Sequence, residues 1–171
     1  MSWSTSWGTA CEGQLIAVYY AGMIGRGLRT LMRSGAAVYL TPPPLSQRLG
    51  MSLLSALRLR ARVWLPIDPR ELSTDESVGK AYMEDLLVVK DPTVRLIYEL
   101  YRGSREVWRY VNRVTVLTLI LHGKDDRVVS PEASERLYRA VQSKDKRPIT
   151  FEGMKREILN ERNKAAAIRK S

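Results

Sequence analysis

The stretch VLTLILHGKDDRVVSPEASERLYRAVQSKDKRPITFEGMKREILNE, Val116–Glu161, decides how this chain folds. With Val114 and Thr115 it opens on a near-continuous run of β-branched residues and leucine that ends at Gly123. That is the texture of a strand buried on both faces. KDDR then turns the chain, and an amphipathic helix follows with Ser130 at its cap and Pro131 at its first position. KRPITFEGM (146–154) reads as a second short strand and EILNERNKAAAIRK (157–170) as a closing helix. Strand, helix, strand, helix is the order of an α/β protein with a parallel sheet.

Working outward, Gly13–Met23 predicts a helix after a glycine-containing turn, with Leu15, Ile16, Tyr19 and Met23 on one stripe. A strand is expected near Thr30–Ser34, and the prolines of TPPP (41–44) end any regular element beyond it. Residues 45–113 are mostly helical by periodicity. Within them, Asp68–Val88 holds a turn and a helix capped by Ser73 or Thr74, and Asp91–Val114 is helical with Pro92 near its start. Met51–Pro66 sets Leu53, Leu54, Leu57 and Trp64 beside Arg58, Arg60 and Arg62. It reads either as a lid helix touching an anionic lipid surface or as a packed helix with a solvated arginine face. Ser2–Trp7 alternates serine with tryptophan or threonine, a strand period.

The totals narrow the classes. At 171 residues, 44% apolar and 27% charged, the chain suits one ordered domain. One cysteine excludes an internal disulfide, and with one histidine it leaves no His/Cys metal site. No cofactor motif is present. No apolar run approaches the ~20 residues of a membrane helix, and MSWSTSW has no signal-peptide character, so the expected location is cytoplasmic. The net charge of +10 is spread along the chain without an RNA-binding aromatic motif or zinc-finger spacing, which argues against nucleic acid as the partner.

Val116–Glu161 resembles the C-terminal part of an α/β-hydrolase of the monoacylglycerol lipase and lysophospholipase type, the serine aminopeptidase S33-like group. There a buried strand ends in His-Gly-x-x-Asp and a helix opens with Ser-Pro. A Ser-x-Asp-Lys segment, a strand ending in Tyr-Glu-Gly and His-Glu-Ile-Leu-Asn-Glu follow. Weaker agreement runs back to Leu15. The resemblance implies a truncated α/β-hydrolase fold, with parallel strands flanked by helices and a helical cap insertion. Residues 1–40 and 114–171 would form the sheet–helix core and residues 41–113 the cap. It implies a serine ester hydrolase acting on monoacylglycerol or lysophospholipid through an acyl-enzyme, needing no cofactor.

Carried over residue by residue, the triad is incomplete. Asp126 falls at the acid, and Asp125 reads as a solvated turn residue. The base histidine falls on Arg156, which cannot give up its proton near neutral pH. His122 ends the buried strand and reads as a local hydrogen-bonding residue. Cys11 falls at the nucleophile, where Thr9-Ala10-Cys11-Glu12-Gly13 replaces Gly-x-Ser-x-Gly, and Glu12 at the N–H of the oxyanion hole. Either Cys11 is a thiol nucleophile at a helix N-terminus, or the reading frame has slipped. Read from the last base of each codon, Trp7–Cys11 can encode Gly-His-Ser-Met. Leu117 and Leu86 stand where the family commonly has proline. The alternative to an impaired hydrolase is a non-catalytic fragment that binds a lipid surface, a separately encoded N-terminal half or its own copies.

Overall fold

The structure is a computed structural model that describes residues 4–6, 11–40, 43–57, 61–64 and 67–170; of the side chains at 4–6, 11, 12 and 170 nothing is said. Among the described residues, four parallel strands lie side by side in chain order: β1 (Ser4–Ser6), β2 (Leu28–Ser34), β3 (Leu117–Gly123) and β4 (Lys146–Phe151). The middle pairing sets Leu31 opposite Thr118 and Arg33 opposite Ile120, and β3 sets Leu121 opposite Ile149. Every residue of β3 after Leu117 is buried, which is why its sequence is apolar without alternation. The alternating Ser2–Trp7 stretch forms the strand expected of it at Ser4–Ser6.

Parallel strands need crossovers, and helices packed on one face of the sheet supply them. α1 (Cys11–Met23) connects β1 to β2, and α6 (Pro131–Ala140) connects β3 to β4. Between β2 and β3 run α2 (Leu45–Ala56), α3 (Glu76–Glu84), α4 (Val94–Glu106) and α5 (Trp108–Val111), and α7 (Lys164–Lys170) ends the chain. One face of the sheet packs Leu31 and Ile120 against Val18 of α1, Val111 of α5 and Leu137 of α6. The other packs Leu119, Leu121 and Phe151 against Ile158 and Ala167. Among the described residues no helix is long and apolar enough to cross a membrane.

Several expectations are corrected. The buried stripe of α1 is Gln14, Ala17, Val18 and Ala21, with Leu15 beside it, while Ile16 and Met23 are 67% and 51% exposed. The smaller side chains face inward because the helix lies close against the sheet and α5. α2 stops at Ala56, so Met51–Pro66 is not one helix. Proline at 92 favours extended backbone before it, and that segment pairs with residues 61–63 instead. Val94 N donates to Ala61 O (2.9 Å), Val63 N to Pro92 O (3.1 Å), and the Arg62 guanidinium meets the Asp91 carboxylate at 2.9 Å. Arg58 and Arg60 lie outside the described residues.

Asp75, not Ser73 or Thr74, caps α3, accepting from Ser77 N at 3.0 Å. Ser73 and Thr74 are occupied elsewhere, by the buried carboxylate of Glu161. The same contact replaces the first turns of the expected closing helix by a 3₁₀ turn at Ile158–Asn160, so α7 begins only at Lys164. The cap and first position of α6 are as expected: Ser130 Oγ accepts from Glu132 N at 3.3 Å and Pro131 follows.

Candidate active site

The carboxyl ends of the strands place the candidate residues along one edge of the sheet, where open parallel sheets carry their sites. Beyond β3 the chain turns at once, Asp126 N reaching back to Gly123 O at 3.2 Å. Asp126 Oδ1 accepts from Val128 N and Val129 N, both at 2.8 Å, which leads the chain into α6. The loop after β4 is laced to this turn. Lys124 N donates to Phe151 O (2.9 Å) and Asp125 N to Met154 O (3.0 Å). Only glycine fits at 123, because a Cβ there would lie 2.1 Å from Lys155 O. That close approach brings Arg156 to Asp126.

Arg156 is buried and its Nη1 donates to Gly35 O at 2.9 Å, with Asp126 Oδ2 at 3.5 Å. Gly35 takes a left-handed backbone (φ 61°), and a Cβ on it would stand 2.9 Å from Arg156 Nη1, so the guanidinium occupies room that glycine leaves. Asp126 Oδ2 also faces His122 Nε2 at 3.3 Å. Burial pushes the Asp126 carboxyl up, but the His122 ring, the Val129 amide and the Arg156 charge outweigh it and hold it below the usual carboxylate range.

His122 has no nitrogen to spare. Nε2 lies 3.0 Å from Val129 O, which can only accept, so Nε2 carries a hydrogen, and Nδ1 meets Ser134 Oγ at 2.5 Å. At 1% exposure the ring is a structural hydrogen-bonding group. Its place in the strand was legible; its contact with Asp126, through the i, i+4 turn, was not.

Cys11 and Glu12 open α1, and their side chains lie outside the described residues. The start of that helix is fixed at the same sheet edge by Gln14. Its Nε2 donates to Ser34 O (2.6 Å) and its Oε1 accepts from Ala37 N (2.5 Å). Asp125 is exposed, as expected, and with Asp126, Lys124, Arg127, Lys155 and Glu71 it lines a polar cavity of about 380 Å³. Among the buried polar groups that sequence reasoning missed are Gln14 and Arg33; both stand at positions whose neighbours i±3 or i±2 are apolar, the one signal available.

Residues 6–163 match the sequence profile of the family described as serine aminopeptidase, S33. Among solved structures, the chain is similar to a monoacylglycerol lipase of Paleococcus ferrophilus, with a TM-score of 0.81, 23% identity and coverage of 92% of this chain and 62% of that one. It is also similar to a soluble variant of the monoglyceride lipase of Saccharomyces cerevisiae, solved with a substrate analogue: TM-score 0.76, 20% identity, 92% and 56% covered. An uncharacterized abhydrolase domain-containing protein of Dictyostelium discoideum is 29% identical over 96 residues, 56% of this chain and 10% of that protein. The chain thus spans about three fifths of the lipases and a tenth of the curated relative. With the parallel sheet, the loop acid after β3 and the profile match over nearly its whole length, this chain belongs to the serine aminopeptidase S33 family of α/β-hydrolases.

Proposed function

We propose that the site is that of a carboxylic ester hydrolase for monoacylglycerol or lysophospholipid in which the proton-transfer step is disabled. The observation that carries this is the buried Arg156 guanidinium 3.5 Å from Asp126. Acyl transfer needs a base that takes the nucleophile's proton and returns it to the leaving group, with the acid orienting that base. Asp126 is held ionised for the second role. A guanidinium has only N–H donors and no basic lone pair to offer, so Arg156 balances the charge of the acid without relaying a proton. Cys11 stands at the nucleophile position and Glu12 at the oxyanion N–H, with residues 41–113 as the cap over the site. The lipases named above support glycerolipid esters as the substrate class.

The purified chain is expected to hydrolyse p-nitrophenyl butyrate no faster than buffer and to resist a serine-directed fluorophosphonate, since losing one triad member costs several orders of magnitude. Turnover that disappears on Asp126→Ala overturns this reading and makes Cys11 a working nucleophile. A second, non-catalytic reading, binding of a lipid surface or a partner chain, is favoured by the exposed apolar residues of α2 and of the loop after α3, Leu86 and Leu87 being 96% and 89% exposed.

A further inference from the structure

α4 carries Tyr98, Tyr101, Arg102 and Arg105 at i, i+3, i+4 and i+7, one stripe of a helix. This stripe faces Arg48 and Ser52 of α2 across an open groove of about 680 Å³, bridged where the Tyr98 hydroxyl meets Ser52 Oγ at 3.2 Å. Arg109 of α5 closes one end. A second hollow of about 350 Å³ shares Arg48, Tyr101 and Arg105 with it and adds Tyr39, Trp108 and Arg136. Five arginines therefore line one continuous depression against a single lining carboxylate, Glu106. Of these five, only Arg102 forms an ion pair among the described residues, with Glu99 at 3.1 Å.

Four of the five arginines lie near aromatic rings, Arg102 being 6.0 Å from the Tyr98 centroid. Arg48 and Arg105 both ride on the Tyr101 ring, 5.6 and 5.9 Å from its centroid. Arg136 lies 4.0 Å over Tyr39 and 5.6 Å from Trp108. A guanidinium resting against a ring still presents N–H groups, and these form the fork that matches a tetrahedral oxyanion. Arg48, Arg105, Arg109 and Arg136 form no ion pair among the described residues, Glu106 is the one carboxylate in the lining, and the groove is open to receive a counter-ion.

We infer that this groove is a binding site for a phosphate ester. Leu45 and Leu49 line the same groove, and Leu53 and Leu57 continue them at i+4 spacing along α2, each between 59% and 65% exposed. An apolar ridge beside a phosphate-binding fork suits the phosphate of an anionic glycerolipid, with the ridge in the interfacial layer. The site is remote in composition from the Asp126–Arg156 pair, and this inference does not rest on the ester-hydrolase reading.

The test is flotation of the whole chain with phosphatidylcholine vesicles, with and without phosphatidylglycerol, beside calorimetry with glycerol 3-phosphate. Binding is expected only to the anionic vesicles. It should fall at least tenfold in an Arg48→Gln, Arg105→Gln variant, at about fivefold per surface arginine. The charge-matched Lys144→Gln, Arg147→Gln variant should stay within about twofold of the wild type. Leu53→Ser with Leu57→Ser, on the ridge beyond the groove lining, should weaken vesicle binding while leaving glycerol 3-phosphate binding unchanged, which marks the lipid as the source. If glycerol 3-phosphate binds in the arginine-dependent way and the vesicles do not, the phosphate site stands and its source is soluble. Equal losses in the two charge variants, no binding of either phosphate probe, or arginine-dependent capture of a single-stranded RNA in preference to both, overturns the inference.

Discussion

Arg33 sits within β2 on the same side as Leu31, 1% exposed, in a strand position that elsewhere in this sheet holds an aliphatic residue. Its guanidinium nitrogens meet no hydrogen-bond partner among the described residues. Burial, and then the charge of Arg156, push its pKa below the usual arginine value. A buried cation without a partner costs several kcal/mol, so Arg33→Leu is expected to stabilise the fold by about 1–4 kcal/mol. In a domain of this size that raises Tm by roughly 3–10 °C, read by thermal melting at neutral pH. An unchanged or lower Tm would mean that the strand uses this charge. Asp126 shows the opposite economy: Oδ1 is fully engaged by two backbone amides, while Oδ2 faces the His122 ring and the Arg156 guanidinium. A triad acid leaves one oxygen for its base in the same way.

At the scale of elements, the 3₁₀ turn at Ile158–Asn160 and the start of α3 are joined by one carboxylate. Glu161 Oε1 accepts from Lys155 N at 2.7 Å; Oε2 accepts from Thr74 N at 2.9 Å, from Ser73 Oγ at 3.2 Å and from the Thr74 hydroxyl. Burial raises the Glu161 pKa, but these donors outweigh it and the net shift is downward. Glu161→Gln turns an acceptor toward donors with two N–H groups of its own. A loss of about 2–3 kcal/mol is expected, or roughly 5–10 °C in Tm at pH 7. Because the folded-state pKa is depressed, the wild-type advantage is complete above the unfolded value near 4.3 and disappears as pH falls through the lower folded value. A gap that persists unchanged at pH 3 would contradict this role.

The same contact explains what the sequence hid. β3, α6 and β4 were legible because their signals are local: an unbroken apolar run, a Ser-Pro cap, a short run before Glu-Gly. The cap of α3 and the start of α7 were not. Ser73 and Thr74 look like caps until a carboxylate from the far end of the chain takes them, and no window of sequence contains both. The expected stripe of α1 held at Leu15 and Tyr19 and failed at Ile16 and Met23 for a related reason: large apolar residues mark a core face only where the neighbouring layer leaves room for them. Of the site, the positions of Asp126 and Arg156 were readable by resemblance. Gln14 and the buried Arg33 were not, since each depends on which strand lies beside which; His122 against Asp126 was not either, since it depends on how the turn after β3 folds back.

For the whole molecule, the candidate site exists only as a product of the assembled sheet. Gly35 follows β2, Asp126 follows β3 and Arg156 follows β4, and the parallel register brings their loops to one edge. Extended strands alternate their faces, so a slip of one residue in either pairing would turn Leu121 from one core to the other and separate the loops. The central claim is that Arg156 stands where a base would meet the acid Asp126. The most direct measurement is an NMR pH titration of the imidazole introduced by Arg156→His, with and without Asp126→Asn. An ionised carboxylate within reach favours the protonated ring by about 1–3 pH units. The account predicts that Asp126→Asn lowers the pKa of the introduced imidazole by at least one unit; a pKa that does not respond to Asp126 would contradict it.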